Sequence, residues 1–474
     1  MMTYMRDFGL KILFVLIVLA ALAPSALPQR LYRSVTQAQS ALEHNRPTQA
    51  LTAIEQALAF DPAVQGLREP ALDLAITLGE WDRAETHLLA LKELDPSTEV
   101  FRCAELQMQL ARGEFPASTT EMSALSAACP GMIDSLRELA YDLFDSGQFD
   151  AAVPLLENLL TLEPESSREQ TMLALYAGAT DPENAVDQLR IAQATESLYA
   201  RLSLELLILI QDTENIDTPA YRYALSGLAF ARADEWYLAH EAFQNAVRLA
   251  PEYAQAWGYL GLSKDKIGLN GEEALLEAVR LSPADPPLLI LEAMHYNRRG
   301  DASIALPILE HAAALDGENP AIAAELGQTF ASLGDLESAR MAYRQATLLA
   351  PDEPSFWHML AEFSLHNEID IAAMGLPAAR NALILQPFSS QSWRSLGYAH
   401  YLLEDFSLAQ RALLRAVDIT PADPTVQYYL GLLFQAQGRS DKAIDAWTMA
   451  SRLAPDHFYA QLSQRALENL IRNH

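Results

Sequence analysis

The stretch AFQNAVRLAPEYAQAWGYLG, residues 242–261, decides the fold. It has helical periodicity on both sides of Pro251, yet proline removes a backbone donor and clashes with the preceding turn inside a helix. The phrase LAP returns at 349–351 and again at 453–455. A helix-stopping phrase that recurs points to a repeated unit with a seam at each proline.

Working outward, prolines stand at 28, 62, 96, 130 and 164, each 34 residues after the last. They resume at 251, 283, 351, 387, 421 and 455, with Gly317 of LDG holding the slot between 283 and 351. The spacings of 32 (251–283) and 36 (351–387) mark small insertions or deletions. A fixed period of this size is the sequence sign of stacked repeats. Asp217 holds the marker's place for the repeat that ends at Pro251, and ten residues after most markers the residue is small, as at Ala38, Ala140, Ala174, Gly227, Gly261, Ala293, Gly327, Ala361, Gly397 and Gly431. Twenty-two residues after, alanine recurs at 50, 84, 152, 239, 305, 339, 409 and 443. Small residues at two fixed places let two antiparallel helices approach closely. Trp257, Trp357 and Trp393 stand six after their markers, and Phe243, Tyr343 and Trp447 twenty-six after theirs. These six are expected to fill the gaps between layers.

In this pattern, best kept over residues 220–251 and 320–351, the chain resembles the tetratricopeptide repeat family across about residues 29–474. In the second stretch Leu326, Gly327, Phe330, Ala339, Tyr343, Ala346 and Pro351 are all in phase. The resemblance implies an all-α fold, an α-solenoid wound as a right-handed superhelix of about twelve helix-turn-helix repeats. It also implies a concave groove that usually binds peptides or proteins.

The register fails between Pro164 and Pro251. An extra apolar helix is expected at 201–211, followed by the loop-like QDTENIDTP at 211–219. The expected organisation is an N-terminal segment at 1–27, a divergent array of five repeats at 28–212, seven further repeats at 213–455, and a capping helix at 456–474. A terminal repeat needs such a cap because no neighbour covers its outer face.

The composition is half hydrophobic and low in glycine, which excludes a disordered chain. With 33 Lys and Arg against 62 Asp and Glu, the net charge is −29. Such a body is repelled by nucleic acid and anionic lipid, so basic or neutral partners are expected, and no nucleic acid. The N-terminus differs. Arg6 and Lys11 precede ILFVLIVLAALA at 12–23. This reads as a signal peptide cut after Ser25, giving a secreted or periplasmic protein, or as a single-pass anchor over 8–27 with the body extracytoplasmic. The anchored form is the expectation carried forward, with membrane contact through this segment alone. No cysteine follows the apolar run, which excludes a lipoprotein anchor.

A catalytic constellation is missing from the sequence: it holds no HExxH, GxSxG, GxxxxGK[ST] or GxGxxG motif. Neither enzymatic activity nor a metal or other cofactor is expected. Cys103 and Cys129, the only cysteines, are too few for a CxxC site. They stand at adjacent ends of one expected hairpin, so either a disulfide or two free thiols is open.

By resemblance, residues seven, eleven and fourteen after each marker of the later array face the groove: His358, Glu362, Arg394, Tyr398, Tyr401, Tyr428, Leu432 and Gln435. The family's carboxylate-gripping Lys and Asn pattern is absent, since the equivalent places hold Ala224 and Leu228, Ile290 and Met294, Ala324 and Gln328. A tyrosine-rich groove fits apolar or extended peptides. The expected function is a non-catalytic, exported or membrane-tethered scaffold that binds a protein segment there. The alternatives are a structural subunit of an envelope assembly or secretion complex, and an accessory subunit of an enzyme acting on envelope polymers.

Overall fold

The computed structural model describes residues 29–44, 46–61, 65–94, 108, 130–194, 199–213, 218–455 and 457–472. Every regular element among them is helical. The chain divides into two compact units at Asn215 and Ile216.

In the first unit, helices α1 (Gln29–Glu43) and α2 (Pro47–Phe60) form a hairpin, as do α3 (Arg68–Thr77) and α4 (Trp81–Leu94). Two more hairpins follow, α5 (Pro130–Asp145) with α6 (Phe149–Leu162), and α7 (Ser167–Thr180) with α8 (Val186–Ala192). The expected extra helix is α9 (Ala200–Asp212), which buries Leu202, Leu206, Leu207 and Ile210 on one stripe. Leu31, Leu51, Ile54 and Leu72 anchor the core of the first two hairpins.

The second unit is more regular. Its hairpins are α10 (Pro219–Arg232) with α11 (Trp236–Leu249), α12 (Ala254–Lys266) with α13 (Glu272–Leu281), and α14 (Pro286–Arg299) with α15 (Ala302–Leu315). Then come α16 (Pro320–Ser332) with α17 (Leu336–Leu349), α18 (Pro354–His366) with α19 (Leu376–Leu385), α20 (Ser390–Leu402) with α21 (Phe406–Ile419), and α22 (Pro424–Ala436) with α23 (Ser440–Leu453). A last helix, α24 (Phe458–Arg472), packs on both helices of the final hairpin.

Pro251 lies in the turn between α11 and α12, outside both helices. The seam is tied by its own tryptophan. The indole Nε1 of Trp257 donates to the Pro251 carbonyl at 2.8 Å, and Trp357 and Trp393 do the same to Pro351 and Pro387 at 2.7 and 2.9 Å. These three rings are half-buried, so their work is partly capping rather than purely the layer filling expected of them. Phe243, Tyr343 and Trp447 fill the space above the small residues of their own hairpins. A Cβ on Gly227 would lie 2.7 Å from Phe243, on Gly327 2.8 Å from Tyr343, and on Gly431 2.2 Å from the Trp447 Nε1.

The irregular spacings have local causes. The 32-residue repeat shortens its second helix, and Gly271 comes so close that a Cβ there would sit 2.1 Å from the Gly261 carbonyl oxygen. The 36-residue repeat inserts a π-helical turn, Ile371–Gly375, before α19.

One position escaped sequence reading. At the turn inside nearly every described hairpin, seventeen residues into the repeat, the backbone is left-handed, at Gly79, Gly147, Gly268, Gly300, Gly334 and Gly438, but also at Asp234, Glu368 and Glu404. An L side chain there costs about 1–2 kcal/mol, partly offset by the lower unfolded-state entropy of a non-glycine. Glu404→Gly is therefore expected to stabilise the second unit by about 0.5–1 kcal/mol. Gly334→Ala should destabilise it by a similar amount. Thermal denaturation of the two variants against the parent checks both signs.

The single-pass assignment is corrected. No helix of the described residues is long and apolar enough to cross a membrane. Residues 1–28, which carried that expectation, lie outside the described residues, as do Cys103 and Cys129 with their possible disulfide.

Candidate functional site

In the second unit the first helices of successive hairpins pack on one another from α12 through α24, as well as on their own partners. The second helices pack chiefly on first helices. Closer spacing along the first helices makes theirs the inner face of the stack.

Four of these helices, α18, α20, α22 and α24, enclose a pocket of about 310 Å³. The sequence delivers its walls through a stripe at positions four, eight, eleven and fifteen after the markers: Thr425 and Tyr459, Ser395 and Tyr429, Glu362 and Tyr398, and His366. Leu365, Arg394 and His457 complete it. At 100° per residue this stripe is turned by roughly 60° from the one at seven, eleven and fourteen.

Consequently the expected groove residues divide. Glu362, Arg394 and Tyr398 line the pocket. Tyr401 and Tyr428 back its aromatic wall, with Tyr401 stacked on Tyr398 at 6.0 Å and Tyr428 against Tyr459 at 5.4 Å. His358 is 6% exposed, with Nε2 3.2 Å from the Ser392 hydroxyl, and burial holds its pKa below the usual imidazole value. It is a packed core histidine. Leu432 is half-buried among hydrophobic neighbours, and Gln435 is exposed beyond the pocket.

Four residues that the sequence reading did not select govern the geometry. The rings of Tyr398 and Tyr429 stack at 4.1 Å with planes 9° apart. The His366 Nδ1 donates to the Glu362 backbone carbonyl at 2.8 Å. That oxygen can only accept, so in the neutral ring Nε2 accepts from the Tyr459 hydroxyl, also at 2.8 Å. Tyr459 and Tyr429 hydroxyls are 3.0 Å apart. Thus α24, 93 residues further along the chain, is fastened to α18 across the pocket. His457 stacks on Tyr459 at 5.9 Å. The signal was available in the aromatic doublet Tyr428-Tyr429 and in HFY at 457–459, but neither fits the resemblance's groove register.

Arg394 does not stand free. Its Nη1 donates to the Asp423 Oδ2 at 2.9 Å, and Nη2 is 3.6 Å from the Glu362 Oε1. Asp423 also caps α22 by accepting from the Thr425 backbone N at 2.8 Å, and Gln391 donates to Glu362 at 3.0 Å. The guanidinium is shared between two carboxylates. Burial pushes the Tyr398 hydroxyl up to about 12, with Glu368 and the neighbouring tyrosines adding to it. Burial also raises Tyr401, Tyr428 and Tyr429. All four are protonated donors at neutral pH. Among the described residues, no group of three or more His, Cys, Asp or Glu side chains is placed to hold a metal ion.

Models of the tetratricopeptide repeat match residues 35–98 and 375–424, 296–363, and 425–457. Anaphase-promoting complex subunit 3 of Schizosaccharomyces pombe is 25% identical over 144 residues, covering 30% of this chain and 22% of that protein, so the chain spans about a fifth of the subunit's length. The TPR repeat-containing protein YpiA of Bacillus subtilis is 22% identical over 336 residues, covering 69% of this chain and 74% of YpiA. Among solved structures, the APC/C hetero-tetramer Cut9-Hcn1 is similar at a TM-score of 0.46 and 16% identity, covering 92% of this chain and 96% of that one. Yeast Tom70 is similar at 0.42 and 13%, covering 93% and 95%.

Proposed function

Because this chain is a tetratricopeptide-repeat protein, we propose that it is a non-catalytic interaction scaffold whose second unit holds a segment of a partner protein on its inner face, at the pocket between α18, α20, α22 and α24. The observation that carries the reading is the pocket itself. A concavity of about 310 Å³ is walled by stacked tyrosines and rimmed by hydroxyl and imidazole groups. Aromatic faces with polar edges bury apolar side-chain area and still pair with peptide groups. Because Arg394 is already paired, a partner's carboxylate is not the anchor.

The test is selection from a displayed library of random 12-residue peptides on the full-length protein, followed by affinity measurement on Tyr459→Phe. Removing that hydroxyl takes one link from the His366–Tyr459–Tyr429 chain and loosens α24 against α18. The expected loss is about threefold to tenfold, the worth of one or two hydrogen bonds. Equal binding by the variant counts against this site.

A second reading, assembly through the outer face, is favoured by Leu348, Ile384 and Phe388, which are 77%, 75% and 82% exposed. Association that survives every pocket substitution and is lost on Phe388→Ser supports that reading instead.

A further inference from the structure

We infer that the pocket takes a cationic side chain, a lysine or arginine of the partner segment; this deepens, and rests on, the peptide-binding reading above. Charge at the pocket wall and the oxygens beside it carry this choice. Glu362, Arg394 and Asp423 form a closed trio at the pocket wall, with contacts of 2.9 Å and 3.6 Å from the guanidinium. Two carboxylates against one guanidinium leave the trio with a surplus negative charge. Glu362 contributes that surplus to the cavity, since it lines the wall and keeps part of its side chain in solvent.

Glu368 stands exposed at the turn after α18, two residues beyond His366 of the lining. The other wall is the stacked pair Tyr398 and Tyr429. Their facing surfaces cover one another, so what this wall offers a polar group is its hydroxyl oxygens.

An ammonium or guanidinium entering here meets a surplus carboxylate and hydroxyl oxygens able to accept. An anion would be repelled by the same carboxylate, and Arg394, the cation in the wall, is already engaged by Asp423 and Glu362. His366 and His457 also face the cavity. The chain as a whole adds an attractive long-range field for a basic segment, at −29.

The experiment uses acetylated and amidated peptides from the selection, so that no terminal charge competes, with the full-length protein at fixed salt. Selected peptides are expected to share a Lys or Arg at one position. Replacing that residue by Gln should weaken binding about tenfold on the parent protein and less than twofold on Glu362→Gln, which keeps the shape and the contact from Gln391. Glu368→Gln, at an exposed turn position, should shrink the same cost without touching the trio. Peptides that bind with no basic position, or a Lys-to-Gln cost unchanged by both substitutions, overturn the cationic occupant while leaving the peptide site standing. A selection that enriches nothing over Tyr398→Ala with Tyr429→Ala overturns both.

Discussion

Replacing Trp447 by alanine is expected to destabilise the end of the second unit by about 3–5 kcal/mol, the range for truncating a fully buried aromatic side chain. Trp447 is 0% exposed and lies directly over Gly431, where no Cβ could fit, and its Nε1 donates to the Tyr428 carbonyl at 3.2 Å. It shares a hydrophobic cluster with Ala443 of its own helix and Leu470 of α24. Loss of the ring therefore loosens the final hairpin and its cap together. Repeat arrays are stabilised by nearest neighbours, so the loss should appear as an early, separate transition in urea denaturation followed by circular dichroism. Trp81→Ala, at a residue 40% exposed in the first unit, is the control and should shift its own unit by much less. A single cooperative transition displaced by under 1 kcal/mol in the Trp447 variant would contradict the packing described.

The second large effect is on binding. Tyr398→Ala with Tyr429→Ala should weaken capture of a selected peptide by a hundredfold or more, about 2.7 kcal/mol. The two rings stack at 4.1 Å and form one wall of the pocket. Both are partly or wholly buried, so the variant also loses stability, and its helix content must be verified before affinity is read. Tyr459→Phe guards against that ambiguity because it removes an oxygen and no packing volume. If the double variant is folded and binds within threefold of the parent, the wall is not where the peptide lies.

Much of the fold is written in the sequence, for a physical reason. Close approach of paired helices demands small residues, and seams demand helix breakers, so Gly431, Ala443 and Pro421 announce a hairpin before any coordinates exist. The left-handed turn was harder to see. Its need for glycine is met at Gly438 but not at Glu404, so no single residue type marks it. The pocket was only half legible. Glu362, Arg394 and Tyr398 follow from the repeat register, yet the pairing of Arg394 depends on Asp423, one repeat further on and chiefly a helix cap. His366 and Tyr459 were invisible as a pair, since no local pattern links residues 93 apart. Such contacts depend on how far each first helix is rotated about its axis, which a 34-residue period does not determine.

The central claim is that a partner segment lies on the inner face of the second unit, and photo-crosslinking tests it most directly. A selected peptide carrying benzophenone at its central position is irradiated with the full-length protein, and the attachment points are located by mass spectrometry. The account predicts adducts on α18, α20, α22 and α24, at or beside His366, Tyr398 and Tyr459. Adducts confined to Leu348 and Ile384 of the second helices and to Phe388 in the turn before α20 would contradict it.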